Sequence, residues 1–143
     1  MDVTIEQITK MEAGLTRAIN DLASLLGDGR SSLVDTDVLE MLGSPEVRFF
    51  IAREKYKIVG MLTLLVYRIP FTKKGILEDL VVMPEFRQQG LGKKLIQVAI
   101  DTAKENGASY IDITSRPSRA AANILYERFG FKKRETNVYR LQL

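Results

Sequence analysis

Hydrophobic and polar positions along the chain switch between two rhythms. Ile8, Met11, Leu15, Ile19, Leu22 and Leu26 recur every three or four residues, which predicts an amphipathic helix stopping at Gly27. Ahead of it, Val3 to Ile5 fits a short strand. Gly27 to Leu33 (GDGRSSL) is rich in turn formers and predicts a mobile surface loop, followed by a short helix on Val38, Leu39, Met41 and Leu42 that Gly43 and Pro45 close. Val47 to Arg53 and Lys57 to Arg68 read as an antiparallel hairpin with a tight turn at Glu54 and Lys55, and Pro70 to Gly75 (PFTKKG) as a loop. Leu80, Val81, Val82 and Met83 form an apolar run too short for a helix, bounded by Pro84, so they predict a buried strand. The helical period returns at Leu91, Leu95, Val98, Ala99 and Ala103 and stops at Asn106 and Gly107. Tyr110 to Thr114 then reads as a strand, and a helix beyond Pro117 runs to Phe129 and Gly130. Phe131 to Glu135 and Asn137 to Leu143 complete the pattern as closing strands.

Hairpins early and a strand, helix, strand crossover in the middle predict an α+β or mixed α/β fold. Its mostly antiparallel central sheet has about six to seven strands and about four flanking helices. At 143 residues with 45% hydrophobic content, the expectation is a single domain spanning residues 1–143. No apolar run approaches the roughly 20 residues of a membrane span, and Met1 to Lys10 lacks the features of a secretory signal, so a soluble cytoplasmic protein is expected. Zero cysteines and zero histidines remove disulfides, thiolate nucleophiles and the commonest metal ligands, leaving Glu, Asp, Tyr or Lys for proton transfer and no metal in the expected chemistry. The formal charge of +3 suits an anionic small ligand as well as nucleic acid.

Candidate chemistry concentrates in two places. In LEDLVVMPEFRQQGLGKKL, Arg87, Gln88, Gln89, Gly90, Leu91 and Gly92 lead into a helix N-terminus. Amides there lack intrahelical partners and face the positive end of the dipole, and two missing side chains let a bulky anion approach. RQQGLG is neither a dinucleotide fingerprint nor a nucleoside-triphosphate loop, and glycines before a helix also serve plain turn chemistry. Glu78 and Asp79 interrupt the strand. Alternation puts them on opposite faces, one for structure and one for a ligand, with a rim salt bridge as the alternative. On the helix after Pro117, Arg119, Asn123 and Tyr126 share one narrow face, which is either solvated or functional. Tyr126, protonated at neutral pH with an unperturbed pKa of about 10, could protonate a thiolate whose value is about 8.5. Lys132, Lys133, Arg134 and Arg140 lack any nucleic-acid reading motif and are taken as a solvated basic edge.

Together these stretches resemble the GNAT superfamily of N-acyltransferases. LEDLVVMPEFRQQGLG looks like its CoA signature of a strand, Arg or Gln, two residues, Gly, one residue, and Gly or Ala. AANILYERFGF, Ala121 to Phe131, looks like its downstream tyrosine helix. The resemblance implies an acetyl-CoA-dependent N-acetyltransferase acting by direct transfer in a ternary complex. Its acceptor would be a primary amine of a small metabolite; the alternatives are a protein lysine or N-terminal amine, and a non-catalytic acyl-CoA-sensing module. It implies that Gln88, Gln89, Gly90, Leu91, Gly92 and Lys93 wrap the CoA pyrophosphate after the signature's Arg87, and that the backbone of Leu80, Val81 and Val82 meets the pantetheine arm. Glu78 becomes the base and Tyr126 the acid. Many family members carry Asn seven residues before this tyrosine. Here that position is Arg119, so Asn123 takes over its contact or Arg119 reaches a CoA phosphate. Gly27 to Leu33, Pro70 to Gly75 and Arg134 to Arg140 are expected to shape the acceptor site. A homodimer is compatible with this reading; nucleic-acid and membrane partners are not expected.

Overall fold

A computed structural model describes residues 2–27 and 32–143. Residues 28–31, most of the GDGRSSL loop, lie outside the described residues. The chain runs β1 (Val3–Ile8), α1 (Leu15–Ser24), α2 (Asp35–Gly43), β2 (Val47–Glu54), β3 (Lys57–Ile69), β4 (Thr72–Val82), α3 (Leu91–Glu105), β5 (Ile111–Ile113) and α4 (Ala120–Arg128), with a 3-10 turn at Pro84–Phe86. The strands form one five-stranded sheet in the order β1-β2-β3-β4-β5, antiparallel except for the parallel β4–β5 pair.

Why the sheet has five strands and not six or seven is visible at the C-terminus. Residues 131–143 carry the alternation of a strand but have no ladder partner among the described residues. Other expectations shift at element ends. Ile8 closes β1 opposite Phe49 instead of opening a helix, because the polar Glu6 and Gln7 are strand residues paired with Ile51 and Phe50. The presumed loop at Pro70 to Gly75 shrinks to a tight turn. Thr72 already pairs with Ile69, and Lys74 pairs with Tyr67 while its ammonium sits 3.1 Å from Asp112 and within 6 Å of the Tyr67 and Tyr110 ring centroids. A lysine with those partners sits comfortably in a strand.

Each sheet face buries one layer of helix. On one side, Leu15, Ile19 and Leu22 of α1 and Val38 of α2 pack on Phe49, Ile51, Met61 and Val81. On the other, Leu91, Leu95, Ile96, Ala99 and Ala103 of α3 pack on Phe50, Leu62, Leu64 and Leu77. Alternate residues of β2 and β3 serve opposite layers, as the pleat requires. Arg53 ties the β1 side together, with Nε 2.9 Å from Glu6 and Nη2 2.6 Å from Glu12.

Candidate active site

Where β4 leaves β5, the sheet opens. The parallel ladder covers only Gly75–Ile111, Ile76–Asp112 and Leu77–Ile113, anchored at its root by the Ser109 amide donating to the Lys73 carbonyl and the Gly75 amide to Tyr110. From Glu78 to Val82, β4 keeps β3 as its neighbour, and among the described residues its ladder with β5 does not continue past Leu77–Ile113. Glu78 is therefore the first residue past the parting, paired with Thr63 and exposed.

Strict alternation does not govern the two carboxylates. Met61 pairs with Val81 and Thr63 with Glu78, so β4 carries one extra residue there, and Asp79 takes φ 54. Asp is among the few residues that tolerate this left-handed conformation. The bulge returns Leu80 and Val82 to the α3 layer and turns Val81 toward α1 and α2. Both Glu78 and Asp79 engage neighbouring polar or charged groups.

Beyond Val82 the loop is held by its own backbone and two side chains. The Met83 amide donates to Val59, the Arg87 Nε donates to the Val82 carbonyl at 2.9 Å, and Gln89 Nε2 donates to Glu85 at 3.2 Å. Gln88 and Gly90 both have positive φ, 62 and 79. Gly90 caps α3 without any side-chain hydrogen bond to its first turn, and Leu91 is buried while Lys93 is exposed. Uncapped amides at Leu91, Gly92 and Lys93, beside an open approach over Gly90, have the donor set and room an anion needs. A Cβ built on Gly90 meets nothing within 4 Å, whereas one on Gly92 meets Leu125 Cδ2 at 3.6 Å. The start of α3 thus abuts α4, so the two motifs, distant in sequence, touch.

Tyr126 is 5% exposed and packs edge-on to Phe131, with ring centroids 6.2 Å apart. Burial pushes its phenol above the ordinary value, while the charge of Arg119 and a hydrogen bond from it pull the other way. Arg119 and Tyr126 are brought together. Asn123 is turned aside, its Nδ2 donating to the Arg116 carbonyl at 3.1 Å. Sequence reasoning missed Ser115, in the loop between β5 and α4, whose Oγ is buried with no hydrogen-bond partner among the described residues. Only its place just past a short strand hinted at it. Two concavities among the described residues lie elsewhere. One of about 630 Å³ sits at the start of α1, lined by Glu12, Thr16, Arg17, Asn20 and Asp35 among others, and one of about 380 Å³ lies near Arg48, Tyr67 and Lys73.

The sequence profile described as the acetyltransferase (GNAT) family matches residues 16–131. The chain belongs to the GNAT acetyltransferase family. It is 37% identical over 60 residues to N-alpha-acetyltransferase 30 of Schizosaccharomyces pombe, covering 42% of this chain and 40% of that protein. The same figures hold for the ribosomal protein bS18-alanine N-acetyltransferase of Escherichia coli strain K12. The chain thus spans less than half the length of these relatives. The fold is also that of AAC(6')-Iy, solved with a CoA-containing bisubstrate analogue: TM-score 0.81, 20% identity, covering 100% of this chain and 99% of that one. No helix among the described residues is long and apolar enough to cross a membrane.

Proposed function

We propose that this protein transfers an acetyl group from acetyl-CoA to a primary amine. The observation that carries the reading is the meeting of the uncapped N-terminus of α3 with α4, at the place where β4 and β5 part. On this reading acetyl-CoA is the acyl-donating substrate and lies where β4 and β5 part. Amides from Gln88 to Lys93 receive the pyrophosphate, and the unpaired edge of Leu80, Val81 and Val82 offers hydrogen bonds to the pantetheine amides. Glu78 takes a proton from the acceptor ammonium, directly or through water. The freed amine attacks the thioester carbonyl, a β4 amide holds the developing oxyanion, the carbon–sulfur bond breaks, and Tyr126 gives its proton to the departing thiolate.

Arg119 acts here as a positioning residue. A buried phenol with a raised pKa keeps its proton but gives it up at about 1.4 kcal/mol more per unit, and the Arg119 guanidinium reduces that cost. For the acceptor, a small amine metabolite leads. Its support is the orientation of the Glu78–Thr63 pair, which faces the α1 and α2 layer of the sheet. A polypeptide N-terminus is the second reading, supported by the names of the two relatives above.

The deciding experiment measures free thiol released from acetyl-CoA against one panel of small amines and one of short peptides with free N-termini. Release above hydrolysis with members of one panel selects the acceptor class. Tight acetyl-CoA binding with no transfer to either panel would replace the enzyme reading with an acyl-CoA-sensing module.

A further inference from the structure

Three cations meet at the opposite end of β4 from the Gln88 to Lys93 loop. Along the strand, Lys73 stands roughly 30 Å from Val82 at about 3.3 Å per residue. Arg48 of β2 is two residues from Phe50, and Arg68 of β3 two from Val66, both buried in the α3 layer, so the pleat turns the two arginines to that face as well. Lys73 pairs directly with Arg68, and like charges set opposite each other destabilise an antiparallel ladder.

Their partners set these residues apart from the other partly buried cations of the sheet. Arg53 is neutralised by Glu6 and Glu12, and Lys74 by Asp112. Arg48 is held instead by neutral oxygens: Nη1 donates to the Pro45 carbonyl at 2.6 Å and the Val47 carbonyl at 3.1 Å, and Nη2 to Asn106 Oδ1 at 3.2 Å. Its guanidinium is fixed in place with its charge intact. Among the described residues, neither Arg68 nor Lys73 forms a salt bridge. Together the three line the concavity of about 380 Å³, a volume within the span of small-ligand sites. The carboxylate in its lining, Glu46, accepts a hydrogen bond from Ser44 Oγ at 3.0 Å, and three cations against one carboxylate leave two positive charges in excess.

We propose that this concavity is a second anion site, which binds a small molecule through a phosphoryl or diphosphate group. A phosphoryl group brings close to two negative charges at neutral pH and three acceptor oxygens, where a carboxylate brings one charge and two oxygens. The immobilised Arg48 presents the planar donor fork that suits such oxygens, and Arg68 and Lys73 complete the charge balance. Val66 and Tyr67 give the rest of the ligand an apolar wall. The proposal does not depend on the acyl-transfer reading, since none of these side chains belongs to the proposed chemistry.

A nuclear magnetic resonance titration with inorganic pyrophosphate, run with coenzyme A in saturating excess, tests it. Saturable shifts are expected at the amides of Arg48, Tyr67, Arg68, Lys73 and Asn106 and at the Arg48 Nε–H. The double variant Arg68→Gln, Lys73→Gln should weaken this binding about tenfold or more. Its ligand-free spectrum should stay that of the wild-type fold, because Arg68 is exposed and the Lys73 carbonyl still receives the Ser109 amide. Shifts confined to residues 88–93 overturn the proposal and leave the acyl-transfer reading standing. Shifts that never saturate and spread over the surface lysines overturn it, as does a double variant that binds as tightly as wild type. Single-stranded RNA that binds this face more tightly than pyrophosphate would assign it to nucleic acid and overturn the small-ligand class.

Discussion

Two glycines two positions apart at the start of α3 respond to the same substitution in opposite directions. Gly90 has φ +79, and a Cβ added there meets nothing within 4 Å, so alanine faces no clash but must adopt a left-handed backbone. That conformation costs an L-residue about 1–2 kcal/mol, offset by about 0.4–1 kcal/mol because alanine restricts the unfolded chain. Gly90→Ala should therefore destabilise by about 1 kcal/mol. Gly92 lies inside α3, and its added Cβ makes an ordinary contact with Leu125 at 3.6 Å. Helix propensity there favours alanine by up to about 1 kcal/mol, so Gly92→Ala should stabilise. For 143 residues the unfolding entropy is about 0.3 kcal/mol per kelvin, and each change shifts Tm by about 3 °C, down for Gly90→Ala and up for Gly92→Ala. Urea titrations with shared m-values give the free energies directly. Shifts of the same sign in both variants would refute the description of Gly90 as a left-handed cap and Gly92 as a helical residue.

Tyr126→Phe should lower turnover on the order of a hundredfold while leaving acetyl-CoA affinity nearly unchanged; near-normal turnover removes Tyr126 as the acid. The same variant tests the alkaline limb of stability. The folded value of Tyr126 lies above that of the unfolded chain, so its contribution is whole below about pH 10 and is lost as pH rises through the folded value. Wild type should lose stability relative to Tyr126→Phe only above that pH, and a constant difference would contradict the burial argument. Glu78→Gln should abolish the acidic limb of the pH–rate profile and cut turnover sharply, whereas an intact limb transfers the base role to Asp79 or water. Arg53→Ala removes two partly exposed ion pairs and should cost about 1 kcal/mol in low salt and less at 1 M salt, where screening has already weakened them.

How much of this was legible in the sequence depended on whether a local rule or a distant partner decided each residue. α3 was legible because Leu91, Leu95, Ala99 and Ala103 obey the helical period and all are buried in one layer. The α4 face was legible in part: Arg119 and Tyr126 do meet, while Asn123 turns aside to the Arg116 carbonyl. The bulge was not, since nothing in LEDLVV marks Asp79 as the residue that takes a positive φ and breaks the alternation of its neighbours. The start of β4 was hidden because Thr72 to Gly75 resembles a loop until Asp112, Tyr67 and Tyr110 surround Lys74. The closing strands failed for the complementary reason. Their alternation is present, and among the described residues no neighbouring strand turns it into a ladder.

The three-pair join between β4 and β5 works as a lever. Its fulcrum lies at the root, where Lys74 meets Asp112 and the Ser109 amide meets Lys73. Its free arm carries Ser115 and Arg119 past the end of the ladder. By that geometry a small rotation at the fulcrum would become a larger displacement at the far end, so changes where the strands are clasped would be felt in the gap. On the reading proposed above, tolerance for longer acyl chains is open to adjustment from Lys74 and Asp112, which would touch no substrate. The relative rates of Asp112→Asn with acetyl-CoA and longer acyl-CoA thioesters would register it.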